Sequence, residues 1–218
     1  MSKQKNEEIA YEKIKRAIML KRLVPGQRVT EEWVGKELNM SRTPIRAAFN
    51  RLENEGLIQL VPHRGAFVCD PSDKELEDVF NLRIVLESYA AELAVHQMTE
   101  ENFQELEQLL KEEEKAYEQK DYEEFLRVNA QIHAYPAKVA ENKFLLQEIE
   151  KLNLWSDCYL ILRDNFYSTE MDQVLSIPEH QEVIAALKKR DVAATKKAIE
   201  AHMLSTLNDL SERTSIFN

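Results

Sequence analysis

The sequence predicts a mainly α-helical protein made of two modules, three helices with a β-hairpin followed by an all-helical bundle of about six helices. Only 4 glycines and 6 prolines occur in 218 residues, too few for the many turns of an all-β fold. Apolar residues recur at helical spacing, and only the short runs LIQLV and AFVCD are typical of strands. The pattern changes at residues 70–73, so we place the module boundary between 1–70 and 71–218.

The first module begins with a helix over residues 6–22, which should end before the turn at Pro25–Gly26. Thr30 is a candidate N-cap for a second, short helix, on which Trp33, Val34 and Leu38 are expected to face inward. Asn39–Met40 then leave only a tight link to the next helix. Two short helices joined by a tight turn predict a helix-turn-helix, and the hairpin after them makes it a winged one.

The third helix, which begins near Ser41, separates polar from apolar residues. Arg42, Arg46 and Asn50 recur every four residues and therefore share one face. The opposite face is apolar and comprises Ile45, Ala48, Phe49 and Leu52. Such a helix can be held to its own domain by one face while the other reaches a partner.

Charge is distributed unevenly between the modules. Residues 1–70 carry 13 Lys/Arg and 9 Asp/Glu, a net charge of +4, whereas the whole chain has a formal net charge of −10. The remaining residues therefore carry −14. This asymmetry suggests a polyanion as partner of the first module only, although chance variation over a short window is the alternative.

Arginine suits a DNA partner because its fork can bind guanine bidentately or grip a phosphate. The early turns of a recognition helix usually meet the groove, and the hairpin tip could enter an adjacent minor groove. The candidate DNA-binding residues are Ser41, Arg42, Thr43, Arg46, Asn50, Arg51, His63, Arg64 and Gly65. The alternative is a solvated surface in which the arginines pair with Glu53 and Glu55.

Three motifs occur in order in this module, SRTPIR at 41–46, LENEGL at 52–57 and PHRGAFV at 62–68. With them, nearly all of residues 8–70 resembles the DNA-binding domain of GntR-type bacterial transcription regulators. The resemblance implies a homodimer that binds a double-stranded DNA operator with two-fold character.

The second module shows no convincing strand. Helices are predicted near 73–96, 99–118, 121–140, 142–166, 172–190 and 192–213. The residues in N-cap positions of these helices are Ser72, Thr99, Asp121 and Asp191. Pro136 falls inside one of these helices and should kink or break it. Apolar positions at Val79, Phe80, Ile84 and Leu86 fit a dimer surface and fit core packing equally well.

Three histidines in different helices of this module, His133, His180 and His202, could together hold a divalent metal inside the bundle. Asn129 lies four residues before His133 and so faces the same way. From spacing alone, ordinary core or surface histidines are the alternative.

Residues 76–210 resemble the all-helical effector domain called FCD, found in the FadR-like branch of GntR regulators. The matching segments are NLRIVLESYAAELA, VNAQIHAYPAKVAENKFL, PEHQEVIAALKKRD and KAIEAHM. In many members an Asp and three His bind a metal, commonly zinc or nickel, which helps hold a carboxylate effector. His133, His180 and His202 fall on the three His positions, and Asn129 stands where the family has Asp.

Asn129 departs from the family pattern in a way that matters for charge. An Asn oxygen can ligate, but it leaves the metal its full charge of +2. This predicts weaker metal binding, a stronger demand for an anionic ligand, or a metal-free pocket. Arg83 could bind an effector carboxylate, or it could form a structural pair with Glu87 one turn later.

The predicted function is that of a ligand-responsive transcription regulator in the cytoplasm, and not that of an enzyme. An N-terminus without an apolar core and the lack of any membrane-length apolar run argue against export and membrane insertion. Cys69 and Cys158 form no metal motif. Two alternatives stay open, a DNA-binding regulator with an inactive pocket and a metal-dependent enzyme with a DNA-binding appendage.

Overall fold

The computed structural model describes residues 3–62 and 64–212, which form two compact units. Within these ranges, the first unit comprises the described residues up to Ser72 with Cys158–Arg163, and the second comprises Asp73–Asp157 with residues 164–212. Within the described residues, no helix is both long enough and apolar enough to cross a membrane.

The first unit is a winged helix-turn-helix, as predicted. Its elements are α1 (Lys3–Met19), β1 (Arg28–Val29), α2 (Glu31–Leu38), α3 (Arg42–Asn54), β2 (Ile58–Val61) and β3 (Gly65–Val68). The apolar face of α3 is buried, with Ile45, Ala48 and Leu52 fully inaccessible. The polar face of the same helix is left to solvent.

The turn between α2 and α3 is as tight as the sequence suggests. Thr30 caps α2 by accepting a hydrogen bond from the backbone of Trp33 at 3.2 Å. Asn39 ends the helix in the left-handed conformation with φ of 51°, which asparagine tolerates better than most residues. A Cβ at position 35 would lie 2.9 Å from the Met40 carbonyl oxygen, so only Gly35 lets the chain turn here.

Two details of this unit differ from the prediction. The sheet has three strands in the order β1-β3-β2, and Arg28 and Val29 of β1 pair with Phe67 and Ala66 of β3. A two-residue strand is too short to show an alternating pattern, which is why β1 was not predicted. Trp33 is 43% exposed, so its inward placement was wrong. Val34, which was also predicted to face inward, is buried.

The second unit confirms the predicted bundle of about six helices. They are α4 (Asp73–Ala94), α5 (Glu100–Glu118), α6 (Tyr122–Val139), α7 (Lys143–Arg163), α8 (Ser176–Lys188) and α9 (Val192–Glu212). The last residues of α7, Cys158–Arg163, belong to the first unit. Thr99 and Asp121 cap α5 and α6 as predicted, and Asn102 completes a capping box with Thr99.

Pro136 does not break α6, which continues through it to Val139. The proline lies in the last turn, where the missing N–H removes only one hydrogen bond of the ladder. The helix α6 packs on α4 and α5, while α9 packs on α4 and α8. These five helices enclose the interior in which the histidines lie.

Candidate functional site

A groove of about 460 Å³ separates the start of α3 from the β-hairpin of the first unit. Its polar and charged lining consists of Arg28, Thr30, Glu31, Glu32 and Arg42. The hairpin contributes Val61, Pro62, Gly65 and Ala66. Of the predicted DNA-binding residues, Arg42 and Gly65 line this groove.

The predicted residues at the start of α3 are all exposed, namely Ser41, Arg42, Thr43, Arg46 and Asn50. The guanidinium of Arg46 donates two hydrogen bonds to Glu31, from Nε to Oε1 at 2.8 Å and from Nη2 to Oε2 at 3.0 Å. Arg42 lies 3.7 Å from Glu32. These two arginines therefore pair with α2, whereas Arg51 lies 3.7 Å from Glu55, one of the pairings that the alternative proposed.

Arg51 is engaged elsewhere, because its contacts lie on α1 and at the end of α3. Its guanidinium stacks 3.5 Å from the ring centre of Tyr11, and its Nη1 donates to Glu8 at 2.8 Å. Tyr11 in turn donates its hydroxyl to Glu55 at 2.8 Å. The structure thus gives Arg51 a role in holding α1 to α3 and does not bring it to the groove.

At the hairpin, Arg64 and Gly65 are exposed, and Gly65 has a φ of +97° that favours glycine. His63 lies outside the described residues. A Cβ at position 65 would be 3.6 Å from Nε of Arg28, so the side chain of Arg28 lies against the hairpin tip. Arg28 is an additional exposed cation that the sequence did not single out, because its strand is visible only through its pairing with β3.

In the second unit, the Nε2 atoms of His133, His180 and His202 meet at one point. Nε2 of His180 lies 3.3 Å from that of His133 and 3.2 Å from that of His202, and the remaining separation is 3.4 Å. The three side chains come from α6, α8 and α9, and all are buried. The structure therefore brings the three predicted histidines together.

A carboxylate lies behind each of the three imidazoles. The Nδ1 atoms of His133, His180 and His202 lie 2.8, 2.9 and 2.7 Å from oxygens of Glu87, Glu113 and Glu179, respectively. A carboxylate can only accept, so each Nδ1 carries the proton and donates it. Each Nε2 is then an acceptor, and three lone pairs face one another.

A bound cation would be an electron-pair acceptor for the three Nε2 lone pairs that face one another. Burial lowers the pKa of His202 to about 3, and burial together with Arg83 and His180 lowers that of His133 well below its usual value. A proton is therefore a poor substitute for a metal ion. Two nitrogens bound to zinc at tetrahedral angles would lie about 3.3–3.4 Å apart. The observed separations of 3.2–3.4 Å fit this requirement.

Arg83 and Glu87 connect α4 to the histidines. Nε of Arg83 donates to Glu87 Oε1 at 2.8 Å, and the other oxygen of Glu87 accepts from His133. Burial raises the pKa of Glu87, and the neighbouring Arg83 opposes this shift and favours the carboxylate. Nη2 of Arg83 is buried and has no hydrogen-bond partner among the described residues. The predicted pair with Glu87 thus exists, and it leaves part of the guanidinium available.

Asn129 is buried on α6, one turn before His133. It therefore lies on the same side of α6 as His133, as expected of a residue that could contribute to the same metal site. Metal ligation by Asn129, as by the three histidines, stays a prediction.

Two protein-family descriptions match this chain. The FCD domain matches residues 78–205, more than half of the chain, and the gntR family of bacterial regulatory proteins matches residues 6–68. The chain is a GntR-family regulator with an FCD domain. The resemblance seen in the sequence motifs is thereby confirmed, and so is DNA binding in transcription regulation as the general function.

The alignments with named relatives span most of this chain and most of each relative. YdhC of Bacillus subtilis, named an HTH-type transcriptional regulator, is 28% identical over 88% of this chain and 85% of its own. RspR of Escherichia coli, named a transcriptional repressor, is 29% identical over 88% of this chain and 83% of its own.

Solved structures show the same fold. McbR/YncC of E. coli has a TM-score of 0.69 at 23% identity and covers 99% of this chain and 100% of its own. Lar of Listeria monocytogenes has a TM-score of 0.66 at 17% identity, with 94% of this chain and 96% of its own covered.

Proposed function

We propose that this GntR regulator binds a two-fold DNA operator as a homodimer and responds to a small carboxylate effector held near a divalent metal in the FCD domain. The observation that carries the sensing part is the meeting of three buried Nε2 acceptors within 3.4 Å of one another. Such an arrangement has no evident use in packing, because buried polar atoms are normally paired with donors. It is explained if a cation belongs there.

His133, His180 and His202 would hold the ion, with Asn129 as a further oxygen donor. Neutral imidazoles suit zinc and nickel alike, and a bound ion would supply positive charge and open coordination positions for an anion. The three carboxylates at Nδ1 orient the rings and fix their tautomers, a role that usually strengthens metal binding.

Arg83 supports a carboxylate as the class of effector. Its buried Nη2 lacks a partner among the described residues, and such a donor is costly unless a ligand or water meets it. Its attachment to Glu87 holds the guanidinium near the histidine cluster. A carboxylate could therefore be bound by the arginine and by the metal-loaded histidines together.

Replacement of Arg83 by methionine is expected to weaken carboxylate binding by about 10–100-fold, the cost of one lost charge-assisted hydrogen bond. The measurement is the rise in melting temperature that a panel of mono- and dicarboxylates gives to the zinc-loaded protein. The same carboxylates should also alter the affinity of the wild type for a DNA duplex selected from a random pool.

The control for this experiment is Arg127→Met, which removes an exposed arginine paired with Glu124 on the surface of α6. It should leave the carboxylate response intact. A carboxylate that stabilises Arg83→Met as strongly as the wild type would contradict the role of Arg83.

The proposed dimer surface lies on α4, on other residues than those that the sequence offered for a dimer surface or for core packing. Phe80 is buried within the protomer, and Val79, Ile84 and Leu86 are only partly exposed. Leu82, Val85 and Tyr89 form instead an exposed apolar stripe, with exposures of 47%, 61% and 50%. These three residues are spaced along one face of the helix, which suits a two-fold contact between copies.

Val85→Glu is expected to shift the dimer towards monomer, raising the dissociation constant by about 10–100-fold, because charged residues are disfavoured in the core of an interface. Sedimentation velocity over a concentration series measures the change. Leu175→Glu, which alters an exposed leucine outside this stripe, should leave the dimer unchanged. An unaltered association of Val85→Glu would place the interface elsewhere.

A further inference from the structure

We infer that Glu31 is a positioning residue for Arg46, and that it sets the DNA sequence specificity of the regulator without itself binding a base. This inference rests on the proposed placement of Arg46 at the DNA. It goes further in assigning a function to an acidic residue beside the arginines of the proposed DNA-binding surface, where a negative charge would ordinarily weaken DNA binding.

The geometry of the pair leaves Arg46 able to bind a second partner. Arginine has five N–H bonds, and the bidentate contact uses the one on Nε and one on Nη2. The two N–H bonds of Nη1 and the second one of Nη2 point away from Glu31. This remaining edge has the parallel donors that bind guanine O6 and N7 or a phosphate.

Glu31 is well placed to hold the guanidinium still. It is the first residue of α2, directly after the Thr30 cap, where the helix end favours a negative charge. Its side chain is 29% exposed, whereas that of Arg46 is 67% exposed. The carboxylate is therefore the anchored member of the pair, and the arginine is the member directed to solvent.

Ionisation keeps the contact intact at neutral pH. The hydrogen bond from Arg46 lowers the pKa of Glu31 below its usual value, so the carboxylate stays charged. A free arginine side chain carries about 2 kcal/mol of rotamer entropy, part of which is lost when it binds a base. An arginine already held in one orientation loses less of it, and a fixed orientation also disfavours the wrong base.

Glu31 also borders the groove between α3 and the hairpin, together with Glu32 and Arg42. Arg42 and Glu32 are 3.7 Å apart and both are largely exposed, so that contact is looser than the bidentate one. Of these two pairs, only the bidentate Glu31–Arg46 pair fixes the orientation of its arginine side chain.

The alternative is that Glu31 competes with DNA phosphates for Arg46. The two ideas predict opposite results for Glu31→Gln, which keeps the side-chain shape and removes the charge. Positioning predicts that specific binding falls while non-specific binding is kept or rises. Competition predicts that both rise together, because a repulsive charge is removed.

The experiment uses the full-length protein and a duplex that the wild type selects from a random pool, with a scrambled duplex of the same composition as the non-specific probe. The readout is the specificity ratio, which is the dissociation constant for the scrambled duplex divided by that for the selected duplex, both measured at one salt concentration. For Glu31→Gln we expect the ratio to fall at least about tenfold, within the discrimination of one bidentate base contact. Circular dichroism confirms that the variant is folded.

A matched control lies in the other unit, where Arg127 makes the same bidentate contact with Glu124, at 2.7 and 2.6 Å. Glu124→Gln should leave the specificity ratio unchanged. Glu31→Gln should also have no effect in an Arg46→Ala background, because nothing remains to be positioned. A structural role of Glu31 alone would not depend on Arg46 in this way.

The outcomes separate the two levels of the proposal. If Arg46→Ala keeps the specificity ratio, the placement of Arg46 at the DNA is wrong. If Arg46→Ala lowers the ratio and Glu31→Gln leaves it unchanged or raises it, the DNA contact stands and the positioning role of Glu31 is refuted.

Discussion

Replacement of His202 by alanine is expected to lower the affinity for zinc by at least about 100-fold, since loss of an outer-shell partner alone costs about 10–100-fold. His202 is the most informative of the three ligands to remove. Its partner Glu179 is 24% exposed and can be hydrated when the imidazole is gone, whereas Glu87 and Glu113 are buried. Removal of His180 would leave the buried Glu113 without its imidazole partner, and removal of His133 would leave the buried Glu87 with Arg83 alone, so either change should destabilise the fold.

Competition with a chromophoric chelator measures the affinity, and the metal-to-protein ratio of protein purified without added metal measures occupancy. His96→Ala, which removes an exposed histidine outside the cluster, serves as the control. Equal zinc affinity of His202→Ala and the wild type would remove the metal assignment.

The substitution Asn129→Asp is expected to raise the affinity for zinc, whereas His202→Ala lowers it. A carboxylate one turn before His133 would add a negative charge to the ligand set, and zinc binding should tighten by about tenfold. The carboxylate effector should then contribute less, because the ion already has one anionic ligand. An unchanged affinity would mean that Asn129 does not face the ion.

The elements that the sequence predicted well are those defined by local signals. Thr30, Thr99 and Asp121 cap helices because their side-chain oxygens accept from backbone N–H groups within one turn, and this requires no knowledge of the fold. The strand β1 is different. Its two residues are extended because β3 lies beside them, and β3 is distant in sequence.

The histidine cluster shows the same limit at the site. The three histidines were found from a resemblance to a family, and their spacing alone did not distinguish them from core residues. The carboxylates behind them were not predicted as their partners, because the contacts join residues 46, 67 and 23 positions apart. Glu179 is instructive, because it adjoins His180 in sequence and yet holds His202.

The arginines of α3 show why a shared face does not mean a shared role. Spacing placed Arg42, Arg46 and Asn50 together, and all three are exposed as expected. Arg51 belongs to the same helix, but Tyr11 and Glu8 of α1 engage it. An aromatic ring and a carboxylate from another helix hold it there, together with Glu55 at the end of α3, which lies 3.7 Å from Arg51.

Arg46→Ala is expected to weaken binding to the selected DNA duplex by about 10–100-fold, which corresponds to the discrimination of one bidentate base contact. Its effect on binding to a non-specific duplex should be small, because the substitution removes only one of several positive charges that can interact with the phosphates. Titrations by fluorescence anisotropy at fixed salt measure both affinities.

Arg51→Ala and Arg127→Ala serve as controls that distinguish the loss of Arg46 from the loss of any arginine. Arg51 stacks on Tyr11, so its loss should lower the melting temperature more than it lowers DNA specificity. Arg127 is an exposed arginine with a bidentate carboxylate in the other unit, and its loss should change neither quantity appreciably. Equal loss of specificity in Arg46→Ala and Arg127→Ala would show that only total positive charge matters. The face of α3 would then attract DNA without reading its sequence.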